Sequence, residues 1–131
     1  METTLQRERT LTHIDHVRLA RLPCSEAMQE MLAGSELVAP RAVPPTLVTM
    51  RTQVLLRDLA WDAPPYELTL CYPEDADPSR GLISVLSPVG SALLGLQVGD
   101  TARWHGPQGR WGEARILAVL FQPEAHGDFG A

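Results

Sequence analysis

Lysine and asparagine are absent from this 131-residue chain, so each of its 11 basic residues is an arginine. Sixteen acidic residues oppose them, and the formal net charge is −5. A protein that holds nucleic acid by itself needs a surplus of cations to neutralise the phosphates. The composition therefore argues against direct, sequence-specific binding of DNA or RNA. It leaves room for a protein that binds another protein beside nucleic acid.

Long apolar runs are absent as well. No stretch approaches the roughly 20 apolar residues that span a bilayer, so no membrane partner is expected. The N-terminal segment METTLQRERT is too polar for the apolar core of a signal peptide. The two cysteines, Cys24 and Cys71, lie far apart without a metal-binding spacing. We expect both to be reduced thiols in a cytoplasmic protein.

A proline-rich segment divides the chain. Pro40, Pro44 and Pro45 remove backbone donors and force extended conformations, so no helix passes through them. We predict a helical hairpin and proline-rich linker over residues 1–44 and a second domain over residues 45–131.

Two short helices are predicted before the boundary. Thr12 and Ser25 are placed to cap them, and Pro23 separates them. Each helix covers about three turns, too short to be stable alone, so we expect their apolar stripes to be covered. The predicted stripes are Leu11, Ile14 and Val17 on the first helix and Met28, Met31 and Leu32 on the second.

After the boundary the apolar pattern has a period of two, which is typical of strands. It is clearest over residues 66–72, where apolar and polar side chains alternate. The fold class is therefore α+β, with a mostly antiparallel sheet and one short helix. The predicted strands are 48–50, 54–58, 66–72, 82–86, 101–105 and 115–121, and the predicted helix is 91–96.

The search for catalytic chemistry yields no catalytic residue, metal ligand set or cofactor motif. His13 and His16 share a helix face, but no third ligand lies nearby, so a solvated face is the favoured interpretation. Glu74, Asp75 and Asp77 could hold magnesium with water, although a solvated turn is favoured there too. Neither cysteine has a recognisable activating context.

One segment carries a family resemblance. Residues 83–100, Ile-Ser-Val-Leu-Ser-Pro-Val-Gly-Ser-Ala-Leu-Leu-Gly-Leu-Gln-Val-Gly-Asp, resemble the C-terminal signature of the bacterial Gre transcription factors. That signature is a strand, then Ser-Pro, a helix of small residues ending in Leu-Gly, and a Gly-Asp turn. Residues 47–50, 71–73 and 121–128 resemble one branch of the same superfamily. Leu96 also resembles that branch, which has leucine at this position, whereas the transcript-cleavage factors typically have lysine.

The resemblance implies a fold, a partner and a contact surface. The implied fold is an FKBP-like C-terminal domain carried on a short antiparallel coiled coil, and the implied partner is RNA polymerase. In Gre factors the loop entering Ser-Pro contacts the polymerase near the rim of its secondary channel. Carried over to this chain, the contact loop contains Ser84, Leu86, Ser87 and Pro88, with Leu86 at a position that is often polar or acidic in the family.

The cleavage factors also carry acidic residues at the tip of a long coiled coil, and this chain departs from that design. A helix of about 11 residues extends only about 16 Å. The tip, with Pro23, Cys24, Ser25 and Glu26, offers one carboxylate rather than two. The sequence therefore predicts a non-enzymatic regulator that binds RNA polymerase near the secondary channel without stimulating transcript cleavage.

Three alternatives stay open at this level. The first is a Gre-type cleavage or elongation factor. The second is a peptidyl-prolyl isomerase, suggested only by the implied FKBP-like fold. The third is that the hairpin is chiefly a dimerisation element, because Met28 and Met31 form an adaptable apolar stripe. The sequence does not decide between a monomer and a weak dimer.

Overall fold

A computed structural model describes residues 9–60, 62–106 and 109–129 of the chain. In these ranges the chain forms three α-helices and seven strands, and the α+β class predicted from the sequence is confirmed. Across these described ranges no helix is long and apolar enough to cross a membrane. The helices are α1 (His13–Ala20), α2 (Glu26–Ala33) and α3 (Pro88–Leu93). The strands are β1 (Thr10–Thr12), β2 (Glu36–Val38), β3 (Gln53–Asp58), β4 (Tyr66–Cys71), β5 (Leu82–Ser84), β6 (Thr101–His105) and β7 (Trp111–Phe121).

The first two helices begin where the sequence predicts. The Thr12 hydroxyl accepts a bond of 3.0 Å from the Asp15 amide, and the Ser25 hydroxyl accepts one of 3.1 Å from the Met28 amide. These bonds satisfy amides that a helix N-terminus otherwise leaves unpaired. Each helix has only 8 residues, shorter than expected, and is about 12 Å long.

The stripe predicted for α1 is wrong at one position. Val17 is 50% exposed, whereas Asp15 and Leu19 lie on the buried face. Leu11 is buried as expected, but it belongs to β1 rather than to the helix. The prediction followed hydrophobicity alone, and here a carboxylate occupies the buried face because it has a hydrogen-bond donor there.

A small parallel ladder encloses the hairpin, and it was not predicted. Strands β1 and β2 pair in parallel, with Leu11 opposite Leu37, so that both helices lie in the crossover between them. Three-residue strands carry too few alternations to be recognised in a sequence. Strand β2 therefore extends the folded hairpin unit as far as Val38, just before the proline-rich segment.

The main sheet has the order β5-β4-β3-β7-β6 and is antiparallel except for the β4–β5 pair. Predicted strands 54–58, 66–72 and 101–105 are confirmed within a residue or two. The expected strand at 48–50 is not formed: the Val48 amide bonds the carbonyl of Leu96 at 2.8 Å, and Met50 begins a turn. Strand β5 stops at Ser84 rather than at residue 86, and β7 starts earlier, at Trp111. Helix α3 begins at Pro88, three residues before the predicted start.

The hairpin and the sheet share one hydrophobic core. Leu19, Met28 and Leu32 of the hairpin belong to the same buried cluster as Val54 and Leu70 of the sheet. Because each hairpin helix is too short to be stable alone, burial against the sheet supplies the stability that helix propensity cannot.

A buried carboxylate joins the two parts. Asp15 is only 4% exposed, and its Oδ2 accepts a hydrogen bond of 3.1 Å from the Met50 amide in the turn before β3. Burial raises the pKa of Asp15 to about 6, and the nearby charge of Glu124 adds to the rise. The bond from Met50 and the proximity of Arg18 favour the ionised form and limit the shift.

The substitution Asp15→Asn tests the cost of this charge, since the amide keeps an oxygen acceptor for Met50. The folded pKa of about 6 lies above the ordinary 3.8, so the protonated carboxyl contributes stability that is complete below pH 3.8 and lost as the pH rises through 6. At pH values well above 6 the free energy of unfolding is lower by up to about 3 kcal/mol, because a pKa difference of about two units is worth about that much. We expect the variant to be more stable than the wild type by about 1–3 kcal/mol near neutral pH, and by almost nothing near pH 4.

Urea unfolding of both proteins across this pH range measures the difference. Glu30→Gln, on the exposed surface of α2, is the matched control and should change stability little at any pH. A stability difference between Asp15→Asn and the wild type that stays constant with pH would contradict the assignment.

Candidate functional site

The candidate contact loop is the turn of residues 84–88, which joins β5 to α3. The Ser84 carbonyl accepts bonds from the Ser87 amide at 3.0 Å and from the Ser87 hydroxyl at 2.7 Å. The Ser84 hydroxyl in turn accepts a bond of 3.0 Å from the Leu86 amide. Ser87 also caps α3, since its hydroxyl accepts a bond of 3.1 Å from the Gly90 amide. Pro88 follows at the first helical position, where its missing N–H costs nothing.

Two contacts fix this loop to the domain. Val85 is fully buried, and its amide donates to the Cys71 carbonyl of β4 at 2.9 Å. On the other side, α3 approaches the loop so closely that a Cβ on Gly90 would overlap the Ser84 carbonyl oxygen. The loop is therefore a rigid turn rather than a mobile connection.

The four predicted loop residues lie on one turn, and they differ in their exposure to solvent. Leu86 is 36% exposed and Pro88 is exposed, whereas Ser84 and Ser87 are half-buried. The two serines build the turn through their hydrogen bonds, and Leu86 and Pro88 present an apolar surface. An apolar patch held on a rigid turn is suited to contact with another protein.

The predicted hairpin tip lies between α1 and α2. Ser25 caps α2, and Glu26 is exposed in its first turn, where the helix dipole favours a negative charge. Cys24 is half-buried, and its thiol donates to the Leu19 carbonyl at 3.3 Å. Pro23 is exposed. The tip thus presents one carboxylate on a short turn, and its cysteine is occupied in a structural contact.

An open groove of about 280 Å³ lies beside the tip, between the two helices. His16 stands at this groove, with its Nε2 at 3.2 Å from the Leu32 carbonyl. None of the lining side chains is Trp, Tyr or Phe. The lining residues are His16, Ala20, Leu22, Cys24, Gln29, Leu32 and Ala33.

The weak metal-binding hypotheses gain no support from the geometry. Asp77 accepts a bond of 2.6 Å from the Ser79 hydroxyl, and Asp75 lies 3.9 Å from Arg51. In the part of the chain that the structure describes, no group of three or more His, Cys, Asp or Glu side chains is placed to hold a metal ion. Both cysteines are free thiols, as expected.

Sequence reasoning missed the residues that orient the hairpin on the sheet domain. The Arg9 guanidinium donates to the carbonyls of Leu94 at 2.8 Å and Ser91 at 3.2 Å, at the C-terminal end of α3. In addition, the Thr10 amide donates to the Gly95 carbonyl at 3.2 Å. The only signal in the sequence was an arginine next to the first strand, which is not specific.

The C-terminal segment holds a second set of buried contacts. Gln122 is 1% exposed, and its amide nitrogen donates to the carbonyls of Leu47 at 2.7 Å and Pro44 at 2.9 Å. The Thr49 hydroxyl donates to Glu124 at 2.7 Å. These contacts give a physical role to the tail over residues 121–128, which carries part of the family resemblance.

Comparison with known proteins identifies the class. The model of the GreA/GreB C-terminal family of transcription elongation factors matches residues 43–121. The chain therefore belongs to the GreA/GreB family, and the resemblance found in the sequence is confirmed.

Within that family, the chain is similar over nearly its whole length to a particular relative, the regulator of nucleoside diphosphate kinase of Escherichia coli strain K12. The identity is 36% over 125 residues, covering 95% of this chain and 91% of the relative. Transcription elongation factor GreA of Chlorobium phaeobacteroides is 38% identical over 82 residues, which cover 63% of this chain and 52% of that protein.

A solved structure agrees with this assignment. Prokaryotic transcription elongation factor GreA/GreB from Nitrosomonas europaea superposes with a TM-score of 0.72 at 38% identity. The superposition covers 88% of this chain and 100% of that one, so it includes hairpin as well as sheet.

The substitution Gly90→Ala tests whether the close approach of α3 fixes the loop. The added methyl group overlaps the Ser84 carbonyl, which is backbone and cannot rotate away. We expect a loss of about 1–3 kcal/mol in the free energy of unfolding, the usual range for overpacking. Gly34→Ala is the control, since its Cβ would lie an ordinary 3.5 Å from the nearest atom. Equal stability of the two variants in urea would show that the loop yields freely.

Proposed function

We propose that this protein is a transcription regulator that binds RNA polymerase near the secondary channel and does not stimulate transcript cleavage. The observation that carries the proposal is the combination of an intact contact loop with a short hairpin whose tip has one carboxylate. The contact loop supports binding to RNA polymerase, and the single carboxylate at the tip argues against stimulation of transcript cleavage. A cytoplasmic location is part of the proposal, because that is where a bacterial polymerase works.

The loop supports binding through its rigidity and its apolar surface. Ser84 and Ser87 are committed to the internal bonds of the turn. Leu86 and Pro88 are left to meet the partner. A preorganised turn loses little conformational entropy on binding, so a small patch can contribute usefully to affinity.

The hairpin argues against cleavage in two ways. Helices of 8 residues extend about 12 Å, less than the sequence alone predicts. Stimulated cleavage by the family design also needs carboxylates that help to hold a metal ion or a water at the active site. Glu26 alone at the tip is too few for that task.

The isomerase alternative gains nothing from the structure. An isomerase of the FKBP type needs a concave pocket lined with aromatic side chains. Tyr72 is buried in the core, Trp104 packs against it, and the groove between the hairpin helices has no Trp, Tyr or Phe in its lining. Dimerisation through the hairpin stays a prediction, although Met28 is buried and Met31 half-buried within the chain itself.

The substitution Leu86→Arg tests the contact loop without touching its hydrogen bonds, because only the backbone amide of Leu86 takes part in them. We expect the Kd for core RNA polymerase to rise at least tenfold, since an apolar contact is replaced by a charge that must be desolvated. Leu120→Arg, at a similarly exposed leucine on β7, is the matched control. No binding by the wild type at micromolar concentration would overturn the proposal.

A transcript-cleavage assay on stalled elongation complexes separates the two transcription alternatives. We expect the wild type to bind these complexes and to leave cleavage at its background rate. GreA is the positive control for the assay. If this protein stimulated cleavage as GreA does, it would be a Gre-type cleavage factor instead. Loss of that cleavage in Glu26→Gln would then assign it to the tip.

A further inference from the structure

The outer face of the sheet carries basic residues in adjacent rows. Arg57 of β3 lies directly opposite Arg115 of β7, and Arg103 of β6 lies opposite Glu113 of β7. Each arginine follows or precedes a buried residue on its strand, so the alternation of side chains directs all three to the solvent side. We call these three residues, with Trp111 and His105 of the next row, the arginine face.

Among the described residues, neither Arg57 nor Arg115 forms an ion pair, in contrast to Arg103, which pairs with Glu113, and Arg51, which pairs with Asp75. Two acids on the neighbouring strand positions have other partners. Asp58 accepts a bond of 2.8 Å from the Ala60 amide, and Glu67 is 3.4 Å from the side-chain amide of Gln53. Two exposed arginines therefore occupy directly opposite positions on neighbouring strands, and neither has an ion-pair partner among the described residues.

Such a pair works against folding. Like charges directly opposite each other across an antiparallel pair are destabilising, by a few tenths of a kcal/mol to about 1 kcal/mol. The cost is unexpected in residues 45–131, which carry 6 arginines and 10 acids, a net charge of −4. With ten acids available, the domain could have placed a carboxylate opposite each of these two arginines. A ligand that bridges Arg57 and Arg115 would explain why it does not.

The next row adds a second kind of contact. Trp111 is 67% exposed and lies opposite His105, with ring centroids 4.1 Å apart. Tryptophan and arginine are the residues most enriched at the energetic centres of protein interfaces. An exposed tryptophan one row beyond the Arg103–Glu113 pair, on the same face as Arg57 and Arg115, is the composition expected of a protein-binding face.

We propose that the arginine face binds an acidic segment of a partner protein, with its carboxylates between Arg57 and Arg115 and an apolar side chain against Trp111. Guanidinium groups donate in a planar fork that suits carboxylates. A polypeptide is favoured over nucleic acid because Glu113 lies within the face and the surrounding domain is acidic, which opposes a continuous line of phosphates. The proposal does not depend on the polymerase contact, since the contact loop belongs to β5 and α3.

The test titrates the full-length ¹⁵N-labelled protein with a synthetic peptide of roughly a dozen residues, built from glutamate pairs separated by leucine. We expect the amide signals of Arg57, Arg103, Arg115 and Trp111 to shift together, with a Kd that weakens several-fold when ionic strength rises from about 50 to about 200 mM. The double variant Arg57→Gln and Arg115→Gln should weaken binding at least tenfold. Its thermal stability should be unchanged or slightly higher, which separates a binding role from a structural one.

Two controls define the face. Arg80→Gln removes an exposed arginine from the turn before β5 and should leave the peptide affinity unchanged. A single-stranded RNA oligonucleotide of the same net charge serves as the competitor. No shift with the peptide at millimolar concentration, equal loss of affinity in Arg80→Gln, or tighter binding of the RNA than of the peptide would each overturn the proposal.

Discussion

The bond between the Met50 amide and the buried Asp15 carboxylate stands at the centre of this structure. On the hairpin side, Asp15 lies in the first turn of α1, whose N-terminus Thr12 caps. On the sheet side, Met50 lies in the turn that leads into β3. Nearby, Thr49 binds Glu124 of the C-terminal segment. The first helix, the turn before β3 and the C-terminal segment thus meet around the Asp15 carboxylate. If the hairpin moved away from the sheet, the buried Met50 amide would lose its hydrogen-bond partner.

The same junction explains how so small a hairpin persists. Isolated helices of two turns are not stable in water, and a helix gains its stability in proteins from packing. Here Leu19 and Leu32 enter the core of the sheet domain, while Arg9 holds the end of α3. A rigid connection of this kind suits a protein that works by occupying a surface, because the hairpin and the contact loop are presented together.

Most of the sheet could be predicted from the sequence because its strands alternate clearly. Strand β4 is an example, with Leu68 and Leu70 inside and Glu67 outside. Residues 48–50 imitate a strand in the sequence because Val48 and Met50, two buried residues at a spacing of two, mimic alternation. The predicted start of helix α3 at residue 91 is too late because Ser87-Pro88 also fits the end of a strand. The pair is in fact a cap followed by proline at the first helical position, an equally regular pattern.

The candidate site is predictable from the sequence only in part, because its contacts join residues that are far apart along the chain. Residues 84–88 were found through family resemblance, and the structure adds that the serines build the turn while Leu86 is displayed. The burial of Asp15 is not predictable, because a sequence does not show which distant amide will face a carboxylate. The pairing of Arg57 with Arg115 is likewise a matter of register between strands nearly sixty positions apart.

The charge of the chain has a different meaning once its distribution is known. The excess of acid and the lack of lysine argue against a general nucleic-acid binder, yet the arginines are not evenly spread. Arg9 and Arg51 make contacts within the chain, Arg9 with the end of α3 and Arg51 with Asp75 at the surface. Arg57 and Arg115 instead share one exposed row. Arginine can do both because its guanidinium group is planar, holds its charge and donates in a fixed fork, whereas an ammonium group offers only a compact point charge. A chain that uses arginine alone is therefore equipped for directional contacts with carbonyl and carboxylate oxygens, which are the groups that another protein surface presents.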